Sequence, residues 1–311
     1  MNDARDLVSA LVTASPEAAG GYWHRWRRSK DIRQLSWQAV QLLPLLDRDQ
    51  WRTWCADDPD VLLMRGIARR AWTEAQLHLA TLRRTTALLL DRGVGPALPA
   101  GPCAVFLQNS RTDSVRPLQE IHLLIPRVQL GTALRVLGED SWTRQGPPVE
   151  GLALDWVTHV PLVRDGLKLK LFWRHLGVAP WRARQCEAEF FAKAGHAMPT
   201  EHLLLSLLAP GASDDGLIPW LVDAALLDLS EEQWERWNQL ARRWAPSAFA
   251  RAAALRRAGA RVPFMSAPFW SRARLEEQAH RMLRALVVAV RRGRNRLAAG
   301  QTRTMVQPLV P

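Results

Sequence analysis

Two apolar runs of strand length, Ala104 to Leu107 and Ile121 to Ile125, stand close together in a chain whose flanks read as helix. Joined by a polar segment, they cannot be stable alone and must bury their faces against the surrounding helices. Downstream, Leu152 to Val163 alternates enough for a strand. Leu167 to Trp173 alternates clearly, as Leu-Lys-Leu-Lys-Leu-Phe-Trp. These runs predict an α+β fold: a small mixed sheet between a helical N-terminal region (residues 1–95) and a larger helical C-terminal domain (residues 177–311), with the sheet core in 96–176.

The helical segments carry their own punctuation. Leu7, Ala10, Leu11 and Val12 form a first amphipathic turn set, broken between Ala14 and Gly21. A second helix is expected from Asp31 to Leu46, kinked at Pro44. The stretch from Val61 to Leu90 is longer than a helix usually runs without interruption. Val128 to Leu137 reads as a helix closed by Gly138. Thr200 is the expected N-cap of the apolar Leu203–Leu208 helix. Ser230 with Gln233 three residues on has the form of a capping box for a helix running to Trp244, before Pro246. Ala248 to Ala258 follows. Leu275 to Val290 is amphipathic and leads into Arg291-Arg-Gly-Arg-Asn-Arg296. That end fits an anionic surface or a partner, or a last core helix with arginines at its negative end.

Composition narrows the class without naming a function. With 48% hydrophobic and 23% charged residues over 311 positions, the chain has material for a large core. No apolar run reaches transmembrane length and the N-terminus lacks a secretory pattern, so a cytoplasmic protein is expected. Cys55, Cys103 and Cys186 are far apart and lack metal-ligand spacing, which points to reduced thiols. The net charge of +12, nearly all of it from arginine, suits nucleic acid, an anionic surface or an acidic protein or peptide partner. It also suits a solvated arginine-rich surface, since the arginines are scattered. In Tyr22-Trp-His-Arg-Trp-Arg-Arg28, Trp23 and Trp26 could stack on bases between phosphate-neutralising arginines. Spaced three apart, they could equally pack inward.

The segment from Ala104 to Pro126 resembles the core of the nucleotidyltransferase superfamily, in particular a bacterial family of uncharacterised nucleotidyltransferases. In that family an apolar strand ends in Leu-Lys-Gly and is followed by Arg-x-x-x-Asp-Ile-Asp-Leu-Leu-Val. Here Leu107-Gln108-Asn109 and Arg116-Pro-Leu-Gln-Glu120-Ile-His122-Leu-Leu-Ile stand in those places. The family's third acid lies on a strand near Lys170-Leu-Phe-Trp173, and its Trp-Leu-x-Asp-Ala helix is similar to Trp220-Leu-Val-Asp223-Ala. The resemblance spans roughly residues 30 to 265.

It implies a site in which carboxylates two apart on a strand share one face and hold magnesium against a nucleoside triphosphate. Residue by residue, the implied positions have changed. Glu120 keeps a carboxylate, His122 replaces the second with an imidazole, and Lys170 brings an ammonium where an acid is expected. Gln108 lacks the family's lysine charge, and Asn109 has a Cβ where glycine admits phosphate.

Two expectations follow. The first is a catalytically degenerate binding or scaffold subunit, requiring no cofactor, in which Gln108, Asn109, Ser110, Arg116, Lys168 and Lys170 line a cleft for a peptide, protein or nucleotide. The second is an active enzyme in which Glu120, His122 and Asp155 hold magnesium or another divalent metal with the triphosphate, and Arg116 orients phosphate. In a third reading, Glu120 and His122 are ordinary polar positions and Lys168 and Lys170 face water on an edge strand.

Overall fold

The computed structural model describes residues 5–13, 15–46, 48–108, 116–146, 153–174, 176, 178–193, 195, 197–209, 217–257, 259–260 and 262–263. They form an α+β structure in which helices surround one five-stranded sheet. The strands are β1 (Leu98–Pro99), β2 (Ile121–Leu124), β3 (Thr143–Arg144), β4 (His159–Arg164) and β5 (Leu167–Phe172). Their order across the sheet is β1-β2-β5-β4-β3. β2 runs parallel to β5, with His122 opposite Lys170, and the other pairs are antiparallel.

All four residues of β2 are buried, because both its faces are covered. Ile121 and Leu123 join Leu79, Leu82, Val136 and Leu171 in one core, while Leu124 joins the core made by the N-terminal and C-terminal helices. The sheet is therefore a partition between two apolar cores. A single 31-residue helix, Val61–Asp91, reaches both, with Met64 in one and Ala75 to Leu89 in the other.

Several local expectations are corrected. Ala104–Leu107 is not a strand; it lies within a helix, Gly101–Gln108. A four-residue apolar run has no periodicity to distinguish the two, and Pro102 in the first turn suits a helix start. The strand that pairs with β2 is the shorter Leu98–Pro99. The long helix is uninterrupted, since Gly66 lies in open space and no proline falls within it.

The expected helix from Asp31 to Leu46 is instead a 3₁₀ turn, a helix Trp37–Leu42 capped by Ser36, and a second 3₁₀ turn holding Pro44. Of the expected strand from Leu152, the described part begins as a helical turn, Ala153–Trp156, and becomes β4 at His159. Gly138 lies inside its helix, which ends at Glu139. Pro199, not Thr200, occupies the N-cap of the Thr200–Leu208 helix. The Ser230 capping box forms as expected. β5 lies between β2 and β4, so Lys168 and Lys170 are not on an edge. The Leu275–Val290 segment and its arginines lie outside the described residues.

Candidate functional site

Alternation along β2 turns His122 away from Ile121 and Leu123, toward the C-terminal helices. Glu120, two residues earlier, shares that face, and the parallel register sets Lys170 of β5 beside them. The result is a three-group cluster. His122 Nε2 lies 2.9 Å from Glu120 Oε1, and Lys170 Nζ donates to the same oxygen at 2.5 Å.

The imidazole is 3% exposed and is walled by Phe172 and Trp220, whose ring centroids lie 5.1 and 6.0 Å away. Gly101 forms the remaining wall. Its φ is +54°, and a Cβ there would stand 2.5 Å from His122 Nδ1, so this position takes glycine for both conformation and space. Cys103 on the same helix donates its thiol to the Glu120 carbonyl at 3.7 Å.

The charge states follow from this packing. Burial holds His122 below the ordinary histidine range, so at neutral pH the neutral ring donates Nε2–H to Glu120 and Lys170 supplies the positive charge. Burial alone would raise the Glu120 carboxyl. Hydrogen bonds from His122 and Lys170, with the charge of the Lys170 ammonium, outweigh it and bring the carboxyl down to about 2. Because the folded value lies below the unfolded one near 4.5, this carboxylate stabilises the fold fully above that pH and loses its effect as pH falls toward 2. The urea midpoint of Glu120→Gln is therefore expected to lie well below wild type at pH 7, by about 2–3 kcal/mol in stability, and the gap to shrink to about half near pH 3 and close only as pH approaches 2. An equal gap at both pH values would mean that Glu120 is not held as a carboxylate by Lys170 and His122 in the folded protein.

A second closed pair lies alongside. Arg116 and Asp223 are both buried, and the guanidinium grips the carboxylate through Nε at 2.8 and 2.9 Å and Nη2 at 2.7 Å. This fork-on-carboxylate geometry joins the segment before β2 to the Leu217–Ala225 helix. Asp223 is the group that motif reading left out of the site. A lone aspartate within the apolar Leu217-Ile-Pro-Trp-Leu-Val-Asp-Ala-Ala run was the available signal, since such a charge must find a buried cation.

Other expected site residues go elsewhere. Asp155 lies against Arg127, with Oδ1 2.5 Å from Nη1, and its carbonyl accepts from Arg174. It makes no contact with Glu120 among the hydrogen bonds and ion pairs of the described residues. Gln108 has both ends of its amide engaged, donating to the Met198 carbonyl at 2.7 Å and accepting from Thr200 at 3.2 Å. Lys168 is exposed, on the same face as Lys170 but outside the Glu120 cluster. Asn109 and Ser110 lie outside the described residues. The three cysteines are buried and free, and burial pushes their thiols up to about 12, 11 and 12 for Cys55, Cys103 and Cys186, far from nucleophile range.

The donor set does not fit a hard divalent cation. Such an ion takes several oxygens, whereas this cluster presents one carboxylate and one imidazole already bonded to each other, with an ammonium on the shared oxygen. Among the described residues, no group of three or more His, Cys, Asp or Glu is placed to hold a metal. Among them, too, no helix is long and apolar enough to cross a membrane. No family model matches the chain, and no curated protein matches it.

Proposed function

We propose that this chain is a nucleotidyltransferase-like protein that works by binding, as a scaffold subunit for a protein or peptide in the cytoplasm, and that its ancestral catalytic face serves as internal structure. The kinship rests on the residue pattern around Glu120 and Trp220–Asp223. The carrying observation is the placement of Lys170 Nζ on Glu120 Oε1, with His122 on the same atom. An ammonium there opposes a divalent cation by about 4 kcal/mol per unit-charge pair at 4 Å and an effective dielectric near 20. Asp223, the other carboxylate of this face, is saturated by Arg116.

The test uses purified protein with magnesium or manganese and each of ATP, GTP, CTP and UTP. No metal-dependent release of pyrophosphate is expected, and no rise in melting temperature with metal and nucleotide together, since a ligand that binds the native state must stabilise it. Metal-dependent turnover that disappears in Glu120→Ala would overturn the reading in favour of an enzyme transferring a nucleoside monophosphate to a hydroxyl.

A further inference from the structure

The Val61–Asp91 helix is one rod of 31 residues, roughly 46 Å long at 1.5 Å per residue. One side, including Met64, Leu79, Leu82 and Leu89, is buried in the cores. The other holds large apolar groups in water: Leu62 is 78% exposed, Leu77 59%, Leu90 48% and Trp72 47%. Among them stand Arg65, Arg69 and Arg83, all exposed and without a carboxylate partner among the described residues. Their neighbours Arg70 and Arg84 are paired, with Glu74 and Asp140.

The arrangement has the shape of a trough. Leu62, Arg69, Arg83 and Leu90 fall at multiples of seven along one rim, and Leu63, Arg70, Leu77 and Arg84 do the same along the other. Between the rims the exposed positions are short: Gly66, Thr73, Ala80 and Ala87. A low floor with leucine and arginine rims lets a second helix approach closely and buries the leucines that water now covers.

We propose that this face docks an acidic amphipathic helix of a partner protein. Charge complementarity selects that occupant. A second copy of the chain, with its net charge of +12, would set arginine against arginine. The chain's own residues 264–311 hold nine arginines against two glutamates and share that sign. Nucleic acid would satisfy the arginines but leave Leu62, Leu77 and Leu90 unburied, since base recognition uses aromatic stacking and groove hydrogen bonds. The inference rests on the binding role proposed above, but it uses a different face. Turnover at Glu120 would be read in a separate assay and would not register here.

The test is fluorescence anisotropy on the full chain with two synthetic helices of roughly 28 residues, matched to the length of the rod. One has Leu and Ala along one side flanked by Glu; the other replaces every Glu by Lys. The Glu peptide is expected to bind at least about tenfold more tightly than the Lys peptide, and to weaken by about tenfold or more with Arg69→Glu/Arg83→Glu, as reversed charges oppose a matching partner. Leu77→Ser weakens it as well, and all variants keep the wild-type melting temperature. Equal binding of the two peptides overturns the proposal, as does a double variant that binds like wild type. Displacement of the bound peptide by duplex DNA or by phosphatidylserine vesicles also overturns it, assigning the face to nucleic acid or lipid.

Discussion

Asp223→Ala is expected to lower stability by about 3–5 kcal/mol, read as a fall in the urea midpoint at pH 7, because it strands the buried Arg116 guanidinium without a counter-charge. The cost is that of an uncompensated buried charge, and it exceeds what the pair contributes over an apolar replacement. Arg116→Met/Asp223→Leu, which removes both charges, should therefore recover most of the loss. If the double variant is as unstable as the single one, the pair is holding a geometry that apolar packing cannot reproduce. If Asp223→Ala is neutral, the segment before β2 is not joined to the Leu217–Ala225 helix as described.

Trp23→Ala is expected to cost a similar amount, about 3–5 kcal/mol, by emptying a filled site in the helical core. Trp23 is fully buried, its indole N–H donates to the Trp54 carbonyl at 3.2 Å, and its ring lies 5.2 Å from Trp26 and 6.2 Å from Trp54. Trp23→Phe should retain more than half of that stability, since it keeps most of the apolar volume and loses one hydrogen bond. A loss below about 1 kcal/mol for Trp23→Ala would mean the indole is not packed as found. The result also bears on function. A tryptophan pair sealed in the core offers no platform for bases, so the aromatic-arginine segment Tyr22–Arg28 contributes charge to the surface and indoles to the interior. Arg27 itself is drawn into an ion-pair cluster with Asp58 and Asp60.

Both experiments concern groups that hold helices against other parts of the fold, and neither touches the exposed side of the Val61–Asp91 helix. That separation allows the proposed binding face to be altered at Arg69 and Arg83 while the protein stays folded. It also suits this helix to the partner proposed for it. Its buried side is anchored along most of its length in two cores, so the exposed side is held rigid without cost at the moment of association.

Elements with strong local signals were legible in the chain itself. The Ser230 box, the apolar β2 run and the alternating Leu167–Phe172 strand each follow from side-chain spacing or from a side chain bonding its own backbone. The α+β class follows from them, and the presence of an imidazole at His122 and an ammonium at Lys170 is read directly from residue identity, which needs no coordinates. Where a run was short, identity was ambiguous: Ala104–Leu107 is helix because Gly101 turns the chain there and β1 already occupies the edge beside β2. Only the tertiary structure decided which charges meet. Arg116 and Asp223 are 107 positions apart, and Glu120 and Lys170 are 50. Such pairs are set by strand register and helix docking, which depend on the whole set of buried contacts, whereas the local pattern depends on a few neighbours.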